Sequence, residues 1–253
     1  MKLKKWIQAG WPPVSAVILL LLVWQLAVSC GWVEGWLLPS PLQIIAEASN
    51  ALPRIGMHTA ATVRIVLLGF VLGAGIGIAL ACLLHLAPLL KAALYPLLIV
   101  SQNVPTIAIG PLLIIWFGFG LLPKLILIVL VCFFPVCMST LDGFARTDRT
   151  AYNYMQMLGA GKYQLFAKLE LPYALPFVFS GLKISATYSV MGAVIAEWLG
   201  GSEGLGYYMI LQKSSYRVDR EFIAIVIIIA LSLSFWRLIV WLEKRVIRWN
   251  VKR

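Results

Sequence analysis

Six long apolar runs are the feature that most constrains the fold of this 253-residue chain. A membrane-spanning helix needs roughly 20 consecutive, mostly apolar residues. Only 12% of the residues are charged, about half the share found in soluble domains. The sequence therefore predicts an all-α membrane protein, a single domain over residues 1–253 with six transmembrane helices. The six runs lie at about Val14–Cys30, Ala60–Leu84, Ala92–Phe119, Leu121–Leu141, Phe177–Leu199 and Phe222–Leu242.

The distribution of lysine and arginine predicts how these helices are oriented. If the N-terminus is cytoplasmic, thirteen basic residues fall in cytoplasmic segments and five in external ones. Basic residues favour the cytoplasmic side of a membrane, so both termini and the segment at about 142–176 are predicted to be cytoplasmic. The cytoplasmic set includes Lys2, Lys4, Lys5, Lys252 and Arg253. This bias accounts for the net charge of +11, and we expect membrane lipid rather than nucleic acid as the surroundings.

Polar residues at membrane depth mark a candidate translocation path. The third run contains "SQNVPTIAIGP", in which Pro105 and Pro111 interrupt the helical pattern. Irregular backbone at membrane depth persists only where protein or a water-filled cavity covers it. The stretch is therefore either a path-lining element or a helix end followed by a new helix. For Glu197, near the end of the fifth run, a polar vestibule and a buried structural hydrogen bond are equally open. The path candidates in the third run are Ser101, Gln102, Asn103 and Thr106.

A row of glycines in the second run predicts close helix packing. Gly69, Gly73 and Gly77 lie four residues apart and therefore on one helix face. Rows of small residues let helix backbones approach closely within lipid. The row predicts a packing surface and carries no information about a transported solute.

The connection between the first two runs predicts a short amphipathic helix. Ser40 can cap its N-terminus, and Pro41 suits the first helical position. Leu42 and Ile45 would lie on its apolar side. We expect this short helix to lie on the outer membrane surface.

The segment at about 142–176 is too polar to lie in lipid and predicts two short helices. "DRTAYNYMQML" can form the first, Gly159–Ala160–Gly161 a turn, and "KYQLFAKLEL" the second, with Tyr163 and Phe166 on one face. Pro172 and Pro176 would then begin the next span. Exposed aromatic residues on short helices are suited to docking into a partner's groove, whereas the alternative is an ordinary loop on the membrane surface.

Motifs for covalent chemistry are absent from the sequence. It contains no GxxxxGK[ST] nucleotide loop, no HExxH and no GxSxG. The four cysteines form no CxxC pair that would favour a metal site. We therefore expect no catalytic residues, no metal and no cofactor bound by this chain.

"MLGAGKYQLFAKLELPYALP" resembles the EAA loop of permease subunits of bacterial ABC importers. Gly159 matches the family's glycine, Leu169–Pro172 matches its terminal motif, and Pro172 follows Gly159 by 13 positions. Asn153, Tyr154 and Met155 stand in place of the EAA triplet. The resemblance spans about Leu38 to Leu242, and "AEWLGGSEGLGYYM" and "FFPV" are similar to the nitrate, sulfonate and taurine branch or to permeases for the pyrimidine precursor of thiamine.

The resemblance implies the type I importer permease fold, with a core at about 57–243 and an ATPase-docking loop at about 142–176. The implied partners are two copies of an ABC ATPase, which carries ATP and magnesium, a second permease copy, and an extracytoplasmic substrate-binding protein. An ion-driven secondary transporter and a membrane enzyme are the rival classes. The implied docking residues are Asn153, Tyr154, Met155, Gly159, Ala160, Tyr163, Phe166, Leu171 and Pro172.

Overall fold

The computed structural model describes residues 2–248, with side chains from Val14 onward, and this range is helical throughout apart from its connections. Lys252 and Arg253, which contributed to the predicted orientation, lie outside the described residues. The helices are α1 (Lys2–Ser29), α2 (Pro41–Leu86), α3 (Pro88–Ser101), α4 (Thr106–Phe117), α5 (Leu121–Ala145), α6 (Arg149–Met157), α7 (Lys162–Leu165), a π-helical turn (Phe166–Glu170), α8 (Leu171–Gly200), α9 (Leu205–Ser214) and α10 (Val218–Val246).

Four helical stretches of the described chain are long and apolar enough to cross a membrane. These are Pro41–Leu86, Leu121–Ala145, Lys162–Gly200 and Val218–Val246. The pair α3 and α4, bent by 99°, makes a fifth if it is one broken span, and Val14–Ser29 is a shorter apolar helix. The predicted all-α membrane class is confirmed, with four or five candidate spans.

The predicted interruption of the third run lies at residues 102–105, between α3 and α4. Pro105 precedes the first residue of α4 and has an extended backbone, with ψ at 119°. Proline also pushes the residue before it away from helical geometry, which explains why the helix stops here. Pro111 lies inside α4, so only the first of the two prolines interrupts the helix.

The described chain groups into two compact units. One contains the described residues up to His58 together with Tyr208–Ile227, and the other contains Thr59–Tyr207 together with the described residues from Ile228 onward. The sequence had indicated one domain with a core at about 57–243. The docking loop and the polar residues of the third run both belong to the second unit.

In the first unit, Ser40 caps α2 as predicted. The Gln43 backbone N–H donates to Ser40 Oγ at 3.3 Å, and the Ser40 N–H donates to Gln43 Oε1 at 2.8 Å. The expected short surface helix is nevertheless wrong, because α2 continues without a break from Pro41 to Leu86. Ala51 and Ile55, four residues apart, are both buried, so the connecting stretch has its own packed face and remains helical.

In the second unit, α5 packs against both α2 and α8. A Cβ atom on Gly69 would overlap the Ile128 side chain, and one on Gly73 would lie 2.7 Å from Cys132 Cβ. At Gly77 a Cβ would lie 2.6 Å from the Phe133 carbonyl oxygen. The three glycines thus meet α5 at contact distance, as the packing prediction requires.

Candidate docking loop and membrane-depth cavity

The first arm of the docking loop is α6, which exposes large apolar side chains. Asp148 caps this helix by accepting a hydrogen bond from the Thr150 N–H at 2.9 Å. Tyr154 is 59% exposed and Met157 79% exposed, and Leu158 beyond the helix end is also exposed. Contiguous exposed apolar surface on an otherwise polar segment marks an interaction site. Sequence reasoning had found Tyr154 but had missed Met157 and Leu158.

The turn after α6 depends on Gly159, which has a positive φ of 83°. The Gly159 N–H donates to the Gln156 carbonyl, and the Ala160 N–H donates to the Met155 carbonyl, both at 3.0 Å. This pair of bonds is the Schellman ending of a helix, in which glycine takes the left-handed position. The structure therefore has the predicted turn, and the left-handed backbone explains why residue 159 is a glycine.

The second arm of the docking loop is continuous with the fifth predicted span. Residues 162–200 form one helical stretch, so the expected separate helix ending before Pro172 is wrong. The backbone widens into a π-helical turn at Phe166–Glu170, where the Leu171 N–H donates to the Phe166 carbonyl. Since Pro172 cannot donate a hydrogen bond and crowds the preceding turn, we infer that the wider turn accommodates it without ending the helix.

The remaining docking candidates differ in exposure. Tyr163 is 82% exposed, whereas Phe166 is half-buried and its ring lies 5.7 Å from that of Phe144. Phe166 therefore faces the packed helices of the same unit. The exposed candidates also include Asn153 and Gly159, and the half-buried ones are Met155, Ala160, Leu171 and Pro172.

A cavity of about 490 Å³ lies at the interruption between α3 and α4; we call it the break cavity. It brings together the four polar candidates Ser101, Gln102, Asn103 and Thr106. Tyr188 and Met191 of α8, one helical turn apart, also line it, as do Phe133 and Phe134 of α5. None of the lining residues in the described part of the chain is Lys, Arg, Asp or Glu. The cavity is thus an uncharged site with amide, hydroxyl and aromatic groups.

Glu197 does not line the break cavity and instead forms a buried hydrogen-bonded cluster. Its carboxylate accepts from Thr62 Oγ1 and from the Gly206 N–H, each at 2.7 Å. The Leu205 N–H in turn donates to Thr62 Oγ1 at 2.8 Å. Glu197 is only 1% exposed, which matches the structural alternative of the two left open by the sequence. The cluster holds the segment that begins α9 against α2 and α8.

Replacing Thr62 with valine is expected to destabilise this cluster. The substitution keeps the shape but leaves the buried Leu205 N–H without its acceptor and removes a donor from Glu197. Leaving a buried polar group unpaired costs about 1–3 kcal/mol, and each kcal/mol lowers the Tm of a chain this size by about 2–4 °C. Thermal unfolding in detergent measures the change.

Ser189→Ala is the matched control for that substitution. Ser189 is also buried, but its hydroxyl donates only to the Ala186 carbonyl of the same helix. An equal loss of Tm in both variants would contradict the role given to Thr62.

These features define a multi-pass membrane protein whose segment at about 142–176 exposes apolar side chains. The chain belongs to the family of binding-protein-dependent transport system inner membrane components, whose model matches residues 72–248. It is thus an ABC transporter permease, a class that transports solutes and is not itself an enzyme. The family name implies a substrate-binding protein as a partner, and the ABC class implies an ATPase.

Similar proteins agree with this assignment. A probable ABC transporter permease protein of Haemophilus influenzae is 36% identical, covering 94% of this chain and 97% of that protein. The formylaminopyrimidine transport permease protein of Halalkalibacterium halodurans is 33% identical, covering 95% and 96%. The crystal structure of an amino acid ABC transporter with histidines matches with a TM-score of 0.66 at 16% identity, over 79% of this chain and 97% of that one. The last likeness establishes a shared fold.

Proposed function

We propose that two copies of this permease form the translocation path of an ATP-driven importer in the bacterial cytoplasmic membrane. Each copy would cross the membrane six times, with both termini cytoplasmic. A substrate-binding protein delivers the solute from outside, and two ATPase subunits hold ATP and magnesium. The exposed apolar surface of the docking loop carries the proposal, because it provides a site for the ATPase on a chain without a nucleotide-binding motif.

The docking loop connects the proposed ATPase site mechanically to the break cavity. Its second arm is the same continuous helix as α8, and α8 carries Tyr188 and Met191 into the break cavity. A displacement of the loop by closing ATPases would therefore move part of the cavity wall. Rigid elements that shift between two packed arrangements are a common basis of switching, and here they would alternate access to the cavity.

We propose a small, uncharged nitrogen heterocycle as the solute. The amide groups of Gln102 and Asn103 can pair with ring nitrogens and amino groups, and the rings of Tyr188 and Phe134 can pack against a flat molecule. A sulfonate or nitrate ion would instead call for arginine or lysine, and no such residue lines the cavity within the described chain. The formylaminopyrimidine relative supports the same choice.

Uptake into proteoliposomes tests this function. The permease is reconstituted with its cognate ATPase and binding protein, and uptake of a labelled formylaminopyrimidine is compared with that of taurine. We expect uptake of the pyrimidine that requires ATP on the ATPase side. Uptake driven by a proton or sodium gradient without ATP would contradict the importer, and ATP-driven uptake of taurine would contradict the solute class.

Tyr188→Ala is expected to lower pyrimidine uptake while leaving ATPase binding unchanged. Removing an aromatic stacking surface costs about 1–3 kcal/mol, which corresponds to a loss of roughly 5- to 150-fold. Ile184→Ala is the matched control, because Ile184 lies one turn earlier on α8, is 46% exposed against 45% for Tyr188, and does not line the cavity. Equal uptake by the two variants would show that Tyr188 does not contact the solute along the translocation path.

A further inference from the structure

His85 lies where the end of α2 meets the docking loop. Its ring stacks on that of Phe144 near the end of α5, with centroids 4.3 Å apart and planes 19° apart. Its Nε2 atom lies 3.0 Å from Glu170 Oε2, in the last residue of the π-helical turn. The ring of Phe166, at the other end of that turn, lies 6.1 Å away. The His85 side chain, at the end of α2, thus contacts α5 and both ends of the π-helical turn.

We propose that His85 is a positioning residue that transmits movement of the docking loop to α2 and α5. We call His85, Phe144, Phe166 and Glu170 the coupling cluster. The proposal rests on the function proposed above, since it assigns His85 a part in coupling ATP hydrolysis to transport. His85 does not line the break cavity and is not on the exposed surface of α6.

The burial of the cluster supports a mechanical role. The side chains of His85 and Glu170 are 21% and 14% exposed, so neighbouring groups cover most of their surface. Hydrogen bonds in such partly buried surroundings are stronger than those in water. A displacement of the π-helical turn would therefore carry the end of α2 with it through the His85–Glu170 bond.

The position of Glu170 links the cluster to the first arm of the docking loop. Glu170 lines a cavity of about 400 Å³ together with Arg149, Tyr152 and Asn153 of α6. Phe144 lines the same cavity from α5. Glu170, the partner of His85, thus shares a cavity with the helix that exposes Tyr154 and Met157, where a docked ATPase would apply force.

The structure of the turn adds to this interpretation. A π-helical turn interrupts the regular α-helical ladder and is frequently found at functional positions. Without an external contact, the wider turn between α7 and α8 could absorb displacement by local rearrangement. The contacts of His85 and Phe144 hold both of its ends, so that displacement of the loop is passed to the membrane helices.

The test compares transport with ATP hydrolysis in the full transporter reconstituted in proteoliposomes. His85→Ala is expected to retain the ATPase and its hydrolysis but to lower solute transported per ATP by roughly fivefold or more, the lower end of typical coupling between sites. His85→Gln, which can still donate to Glu170, is expected to recover part of the ratio. An unchanged ratio in His85→Ala would overturn the proposal, and so would loss of ATPase binding, which would make the cluster only a support for the dock.

Lys183 and Glu243 supply the matched control. They form an ion pair at 3.0 Å in the same unit, with both side chains 24% exposed, and Lys183 lies on α8, 13 residues beyond the last residue of the π-helical turn. Lys183→Ala is expected to leave the transport-to-hydrolysis ratio unchanged. An equal fall in both variants would show a general loss of stability and would overturn the specific role of His85.

Hydrogen exchange on the permease alone separates this inference from the proposed function. In His85→Ala, the amides of the π-helical turn and of the last turn of α2 are expected to exchange faster, while those of α10 keep the wild-type rate. Unchanged exchange would overturn the positioning role even if transport is ATP-driven. Faster exchange in a protein without ATP-driven uptake would retain the positioning role and reject the importer.

Discussion

Replacing Gly73 with leucine will separate α2 from α5 and prevent most of the protein from folding. Even a Cβ atom at this position would lie 2.7 Å from Cys132 Cβ and 3.2 Å from the Val129 carbonyl oxygen. Added bulk in a packed core costs typically about 1–3 kcal/mol, and a whole leucine side chain requires the helices to part. Size-exclusion chromatography in detergent, together with the Tm of any folded fraction, measures the loss.

Gly75→Leu is the control for this prediction. Gly75 lies on the same helix, two residues further on, and a Cβ atom there would meet nothing within 4 Å. This variant is expected to elute and unfold as the wild type does. A folded Gly73→Leu protein with a wild-type Tm would contradict the packing of the glycine row.

Replacing Gly159 with glutamate will uncouple the permease from its ATPase while leaving the membrane helices folded. Gly159 holds a φ of 83°, and a residue with a Cβ pays about 1–2 kcal/mol for left-handed backbone. The strain lies in the turn after α6, so we expect that turn to reorganise and the apolar surface of α6 to lose its orientation. ATPase co-purification and ATP-driven uptake are both expected to fall by about tenfold, corresponding to about 1.4 kcal/mol.

Gly161→Glu separates the backbone effect from the added charge. Gly161 has a φ of −72°, which any residue adopts, and like Gly159 it has open space where a Cβ atom would lie. We expect Gly161→Glu to retain more ATPase than Gly159→Glu, and Gly159→Asn to be the mildest variant at that position because asparagine tolerates left-handed backbone. Equal loss from both glutamates would assign the effect to charge alone.

Features that depend on local sequence could be predicted without the structure. The cap at Ser40, the interruption at Pro105 and the turn at Gly159 each follow from the backbone preferences of one or two residues. The apolar runs predicted the all-α membrane class because their length is set by the thickness of lipid. The grouping of four polar residues at one site could also be predicted, because all four lie within one short stretch: Ser101, Gln102, Asn103 and Thr106.

Two predicted helix boundaries were wrong. Pro41–Leu86 and the stretch at 162–200 are continuous, although a separate short surface helix was expected in the first and a new helix starting at Pro172 in the second. Burial of Ala51 and Ile55 in the first case, and a π-helical turn in the second, compensate for the cost of a proline inside the helix. Such compensation depends on neighbours that local sequence does not reveal.

Contacts between distant segments also could not be predicted. Thr62 donates to Glu197 from 135 positions away, and His85 meets Glu170 from 85 positions away. Helical periodicity placed Tyr163 and Phe166 on one face, but the structure exposes the first and turns the second toward Phe144. Tyr188 lines the cavity from a different helix, more than 80 positions after Ser101–Thr106, and nothing in the local sequence links it to that stretch.

Binding of the cognate ATPase to a Met157→Asp variant tests the docking loop most directly. Met157 is 79% exposed at the end of α6, and a charge there would be buried against the partner without a counter-charge. Gln156→Asp places the same charge on the neighbouring exposed residue of the same helix. We expect Met157→Asp to lose the ATPase in co-purification and Gln156→Asp to keep it; full ATPase binding by Met157→Asp would contradict the docking role of this loop.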